Sequence, residues 1–354
     1  MKGAILPESG VKKRSMKRAI LITTLALVTL TLAAQTPTTL RVDVRLVNVV
    51  ATVTDANGKF VPNLTAEDFA VMEDGVAQTI TYFTQDRNVP VSVGILLDTS
   101  GSMATKMRTA SAAVERFLNN IHADDDIFLM TFARGISLEQ DFTSDRRKLA
   151  RALNSLKVDG GTPLYDGLKQ AIDKVHRGRH DKRAILVISD GMDSGSKATT
   201  LDGLLRTIRG AEVLVYGLGT SQTVYADPNE HVPFTLPTPS STARGPAAIA
   251  NARGASVVPR RGGAPTYITS VNMTVLNQFA AATGGQAFLL SDTFIDEGTS
   301  EIDKTLTAIA DELRGQYTLG YYPSAADNRS FHTIRITTRN NHNVRARTGY
   351  QGRP

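Results

Sequence analysis

Between residues 89 and 315, apolar runs of strand length alternate with segments of helical period, and this alternation leaves few folds open to the chain. Val91-Ser92-Val93-Gly94-Ile95-Leu96-Leu97 and Ala184-Ile185-Leu186-Val187-Ile188 read as strands buried on both faces, being apolar throughout except for small residues. Residues 126–133 form a third such run, and 138–142, 212–218 and 286–290 are shorter candidates. From Lys106 to Ile121, Ala110, Ala113, Val114, Phe117, Leu118 and Ile121 recur at helical spacing. Further helices are predicted over 146–156, 163–175, about 200–210, 271–283 and 300–313, the fifth of the six stopped by Gly284-Gly285. The expected fold is α/β, a doubly wound, Rossmann-like, mostly parallel sheet with helices on both faces. In the strand order 3-2-1-4-5-6, strands 1 and 4 flank the crevice where open sheets of this kind bind ligands. Asp98 ends the first of these strands and Asp190 the fourth, so the topology brings the two carboxylates together.

The flanks are different. Residues 41–88 and 316–352 hold strand patterns without intervening helices, which predicts a small β-sandwich formed by N- and C-terminal strands, with the α/β unit of 89–315 inserted between its halves. Val71 to Phe83 reads as a hairpin about Asp74-Gly75, and residues 316–323, 331–338 and 344–350 as three closing strands, with Tyr321 and Tyr322 as sandwich residues. Residues 221–270, with Pro228, Pro233, Pro237, Pro239, Pro246, Pro259 and Pro265 among many Ser, Thr, Ala and Gly, read as a flexible insertion without a packed core.

Residues 1–34 read as a secretory signal peptide: Lys12, Lys13, Arg14, Lys17 and Arg18 precede an uncharged stretch from Ala19 to Ala34 that is short for a membrane span. The predicted cut falls after Ala34, and membrane attachment follows only if the segment stays uncleaved. This segment carries +5 of the formal net charge of +6, so the mature chain is close to neutral and composition gives no case for nucleic acid. With no cysteine, the exported chain has neither disulfides nor thiolate metal sites.

The chemistry-bearing residues sit at the strand ends. Asp98, Ser100 and Ser102 place one carboxylate and two hydroxyls at alternate positions of a turn, so their oxygens converge on one side. Gly160-Gly161-Thr162-Pro163 offers a third hydroxyl ahead of a helix, and Asp190 a second carboxylate. Hard oxygens of this kind suit a divalent cation. The pattern DxSxS, then Thr, then Asp resembles the metal-ion-dependent adhesion site of von Willebrand factor type A domains, at Asp98, Ser100, Ser102, Thr162 and Asp190. The stretches DVRLVNVVATVTDANGKFVPNLTAEDF (43–69), LRGQYTLGYYP (313–323) and VRARTGY (344–350) extend the resemblance to the secreted bacterial VWFA-related family.

That resemblance implies Mg²⁺ as cofactor, with Mn²⁺ or Ca²⁺ as alternatives. The serine hydroxyls, often joined by the threonine, bind the metal directly, and at least one carboxylate acts through water. A protein partner supplies Asp or Glu to the open position. It implies an exported module, periplasmic or at the cell surface, that binds protein and is not an enzyme. Two other readings compete: an envelope scaffold whose metal only fastens its own loops, and a metal-dependent hydrolase. Against the hydrolase, Ser100 lacks a GxSxG elbow and Asp98-Thr99-Ser100 lacks the second Asp of an aspartyl-phosphate phosphatase. No general base is apparent, since the six histidines read as surface residues. Ser189, Asp166 and Asp193 are expected at most to support the site. Gly217-Leu218-Gly219-Thr220 reads as a loop, and Asp124-Asp125-Asp126 as a solvated turn.

Overall fold

The computed structural model describes residues 46–85, 89–221, 223–225, 256–258, 266–268, 271–291, 300–323 and 331–352, all within one compact unit, Arg45–Pro354. The predicted signal segment lies outside the described residues. The chain opens with β1 (Val47–Thr54), β2 (Phe69–Glu73), β3 (Val76–Gln78) and β4 (Ile80–Gln85). The α/β part follows as β5 (Ser92–Asp98), α1 (Met107–Asn120), β6 (Asp126–Phe132), β7 (Ile136–Thr143), α2 (Arg146–Asn154), α3 (Leu164–Val175), β8 (Arg183–Ser189), α4 (Leu201–Arg209) and β9 (Leu214–Ser221). After β10 (Thr223–Tyr225), β11 (Ser256–Val258) and β12 (Thr266–Ile268) it resumes with α5 (Met273–Thr283), β13 (Ala287–Ser291) and α6 (Ser300–Arg314). The last strands are β14 (Tyr317–Tyr321), β15 (Phe331–Thr338), β16 (Asn343–Ala346) and β17 (Gly349–Gln351). No helix of the described residues is long and apolar enough to cross a membrane.

The central sheet has the order β13-β9-β8-β5-β6-β7, which is the expected 3-2-1-4-5-6 in terms of its own strands. All neighbours are parallel except β7, which runs antiparallel to β6. The pleat explains why β5 is apolar throughout. Val93, Ile95 and Leu97 face a core built with Val114, Phe117 and Leu118 of α1, Leu149 and Leu153 of α2, and Ile302, Leu306 and Ile309 of α6. Leu96 faces the opposite core, with Phe128, Leu168, Ile172, Leu204, Leu276 and Phe279. Each fully buried aliphatic side chain of this kind contributes about 1.5–3 kcal/mol. With both faces covered, only the strand ends and their loops are left to carry function.

The flanking strands form two four-stranded antiparallel sheets, β16-β1-β14-β4 and β17-β15-β2-β3. β1 pairs with β14, Val49 opposite Leu319, so the first described strand is closed by one that directly follows α6. Val49, Ala51, Val53, Val71, Tyr317, Leu319, Tyr321 and Ile336 fill the sandwich, and the rings of Phe60, Phe69 and Phe83 pack around Tyr317. The end of α6 is tied into it, since Thr52 Oγ1 donates to Glu312 Oε1 at 3.0 Å and Arg345 to Glu312 Oε2 at 2.6 Å.

Several local expectations change. The return limb of the hairpin splits, β3 pairing with β2 while β4 pairs with β14 in the other sheet. Residues 344–350 likewise divide, β16 pairing with β1 and β17 with β15. Gly217-Leu218-Gly219-Thr220 is no loop but part of β9. A Cβ at Gly219 would stand 2.4 Å from Met273 Sδ, so the glycine lets α5 pack close to the strand. Asp125 and Asp126 are buried, not solvated. Asp125 accepts from the amides of Val91 and His122, and Asp126 from Ser92 Oγ and the Arg179 amide. Within 221–270, β10, β12 and β11 pair into a small antiparallel sheet, where no ordered element was expected. Tyr321 lies in the sandwich core as expected, whereas Tyr322 is half exposed.

Candidate metal centre

The site is assembled at the carboxyl end of the sheet from three loops. Asp98 is the last residue of β5 and is fully buried. Its Oδ1 accepts the Ser100 amide at 2.9 Å, which closes the turn, and its Oδ2 accepts Ser189 Oγ at 2.7 Å. A short 3-10 turn over Gly101–Met103 then brings Ser102 back towards Ser100, their Oγ atoms 3.1 Å apart. Met103 anchors the turn from below, buried and in contact with Thr220 Oγ1.

Asp190 is the first residue beyond β8. Its Oδ2 accepts Ser102 Oγ at 2.7 Å, and its Oδ1 the Met192 amide at 3.2 Å. Gly191 turns the chain away with φ +74°, where a Cβ would stand 2.6 Å from the Asn272 carbonyl oxygen, so the position requires glycine. Thr162 is buried in the second loop. Asp159, at the base of that loop, donates its amide to Thr99 O at 2.9 Å and bridges Ser100 in parallel fashion. The Thr162 carbonyl accepts the amides of Ser194 and Gly195 from the loop that follows Asp190. Asp98, Ser100, Ser102 and Asp190 are therefore connected side chain to side chain or through the turn, whereas Thr162 is tied to the loop that follows Asp190, through the amides of Ser194 and Gly195.

The electrostatics are set by burial. Desolvation pushes the Asp98 carboxyl from 3.8 up to about 6, opposed by hydrogen bonds from Ser100 and Ser189 and reinforced by the charge of Asp190. The surrounding residues act as braces. Asp193 accepts the Tyr165 amide and Ser196 Oγ, while Asp166 accepts the amides of Lys197 and Ala198. Both pin the loop after Asp190 to the start of α3. Ser189 touches Asp98 directly and also accepts the Gly191 amide.

One participant has no signal in the sequence. Lys106, which precedes α1, is buried, and its Nζ lies 3.0 Å from Asp190 Oδ2. The partner is 84 residues away, so only the folded sheet brings the pair together.

The donor set fits a hard divalent ion: three hydroxyls and two carboxylates, with no sulfur or imidazole. Among the described residues, the one cation on the cluster is the Lys106 ammonium, which contacts Asp190. A second cluster, Glu73, Asp74 and His332, has ligand atoms within 4.8 Å of one another in the sandwich. Its carboxylates are already engaged, Glu73 by the hydroxyls of Tyr321 and Tyr350, Asp74 by His332 and by Thr333. His332 is thus a buried structural residue and not the surface histidine expected. A cavity of about 650 Å³ lies at the opposite, amino end of the strands, bordered by Val91, Arg183 and Leu214, and is separate from the cluster.

A family profile described as von Willebrand factor type A domain matches residues 93–192. The uncharacterised protein sll0103 of Synechocystis sp. is 29% identical over 110 residues, 30% of this chain and 26% of that protein. The match therefore spans about a quarter of the length of that relative. Among solved structures, an aerotolerance-related membrane protein from Bacteroides fragilis is similar with 17% identity and a TM-score of 0.43, over 63% of this chain and 98% of that one. Proximal thread matrix protein 1 from the mussel byssus, with a zinc-occupied MIDAS motif, is similar with 13% identity and a TM-score of 0.43, over 68% of this chain and 49% of that one. Likeness of this extent says nothing of what the present chain binds. The matched residues begin inside β5 and end just past Asp190, so the segment similar to a von Willebrand factor type A domain holds all five residues of the cluster.

Proposed function

We propose that this chain is an exported protein-binding module of the cell envelope, which captures an acidic residue of a protein partner through a divalent cation, Mg²⁺ in the first instance. Asp98, Ser100, Ser102, Thr162 and Asp190 are the residues that would hold the ion. The observation that carries the reading is the chain of contacts Ser100 Oγ to Ser102 Oγ to Asp190 Oδ2, with Asp98 behind it, at the ligand crevice of the sheet. With at least one carboxylate acting through water, few anionic oxygens would touch the ion directly, so a bound cation would offer a Lewis-acidic position suited to a partner's carboxylate.

Burial of Asp98 and Asp190 keeps water from competing at the inner side, while Ser102 lies on the exposed rim of the loop. Among the described residues, no histidine has a hydrogen bond or ion pair with the five. His176 contacts backbone carbonyl oxygens, and His180 a backbone carbonyl oxygen and Asp126.

The test is capture of envelope proteins by the immobilised chain in Mg²⁺ and in EDTA, with Asp98→Ala as control and circular dichroism to verify its fold. A partner retained only by the wild type in Mg²⁺ is expected. If Mg²⁺ raises the melting temperature and no partner depends on it, the loop-fastening scaffold is the correct reading.

A further inference from the structure

Lys106 occupies an unusual place for a cation. It sits at the start of α1, where the aligned peptide dipoles oppose positive charge, and its side chain is only 4% exposed. A buried ammonium requires a close carboxylate. Its partner is Asp190 Oδ2, the same oxygen that accepts Ser102 Oγ. The backbone fixes it there: the Lys106 amide donates to Met103 O at 2.8 Å, and its carbonyl accepts the Ala110 amide at 3.0 Å. The charge is therefore tethered by the very loop that carries Ser100 and Ser102.

We propose that Lys106 is a built-in counter-charge that lowers the site's affinity for a divalent ion and raises the affinity of the ion-loaded site for an acidic partner. The inference rests on the metal reading above. With Asp98 and Asp190 as carboxylates, Lys106 leaves the cluster one net negative charge, where two would stand without it. Its ammonium holds Asp190 in place in the metal-free protein and repels an arriving divalent ion. Once that ion is present the cluster carries one net positive charge, which a partner's carboxylate neutralises. By linkage, carboxylate and cation raise each other's affinity by the same factor, and Lys106 acts on the two ligands in opposite directions, weakening the cation and strengthening the carboxylate. A residue with only a packing role would not produce this opposite effect on the two ligands.

The experiment is calorimetric titration with Mn²⁺, with and without acetate as a carboxylate probe at constant ionic strength, on wild type, Lys106→Met and Lys106→Gln. Methionine keeps the length of the side chain, and glutamine keeps a hydrogen bond to Asp190 without the charge. Both variants are expected to bind Mn²⁺ alone at least about tenfold more tightly. The affinity of the Mn²⁺-loaded protein for acetate is expected to fall, and so is the melting temperature of Lys106→Met in EDTA. Folded variants with unchanged or weaker Mn²⁺ affinity overturn the role of Lys106 while leaving the metal reading intact. A wild type that takes up no Mn²⁺ overturns both.

Discussion

Asp98 is expected to take stability away from the metal-free protein as pH rises from acid to neutral, relative to a variant without its charge. Burial holds its carboxyl at about 6 in the fold, against 3.8 for the ordinary group. A carboxyl raised in this way favours folding while protonated. Its contribution is complete below the unfolded value and is lost as pH climbs through the folded one. A shift of about two pK units corresponds to about 3 kcal/mol. Asp98→Asn carries no charge at any pH and has no such loss. Asp68, Asp74, Asp141, Asp145 and Asp166 are shifted downward by hydrogen bonds and nearby charge, giving the opposite trend, but they are common to both proteins and cancel in the difference.

Urea unfolding in EDTA, run at intervals from acid to neutral pH, measures that difference directly. The stability of wild type minus that of Asp98→Asn should fall by about 3 kcal/mol between about pH 4 and about pH 7. Saturating Mg²⁺ should abolish the fall, because the bound ion favours the ionised carboxylate. A difference that stays flat or rises with pH in EDTA refutes the placement of Asp98 as a buried, strained anion.

Ser189→Ala removes the hydroxyl that donates to Asp98 Oδ2. It should weaken Mn²⁺ binding by about 10–100-fold in calorimetry and raise the Asp98 titration further. In the sandwich, Glu73→Ala strips the acceptor from the fully buried Tyr321 hydroxyl and leaves a void, so a loss of about 3 kcal/mol is expected in urea unfolding, with Glu73→Gln milder. Mn²⁺ affinity should be unaffected by either sandwich variant.

The sheet was legible because its strands are buried on both faces, so β5, β6 and β8 announce themselves as unbroken apolar runs without help from tertiary context. The switch-point rule then places Asp98 beside Asp190 from the order of the strands alone. What sequence could not carry was set by distant partners. Lys106 is an ordinary helix-start lysine until β8 delivers Asp190, and Asp125 and Asp126 look solvated until the Val91 amide, Ser92 and the Arg179 amide arrive to satisfy them. Gly219 mimics a loop residue because the reason for it, Met273 of α5, lies in another element. Strand patterns that switch sheets, as at 344–350, keep their alternation across the break, and periodicity alone does not reveal it.

As proposed, Asp98, Ser100, Ser102, Thr162 and Asp190 would together hold one divalent ion at the carboxyl end of the sheet. Electron paramagnetic resonance of free Mn²⁺ during titration of the wild type, Asp98→Ala and Asp190→Ala tests it most directly. One Mn²⁺ bound per wild-type chain is expected, and none at the same concentrations in either folded variant. Equal binding by all three proteins, or no binding by the wild type, contradicts it.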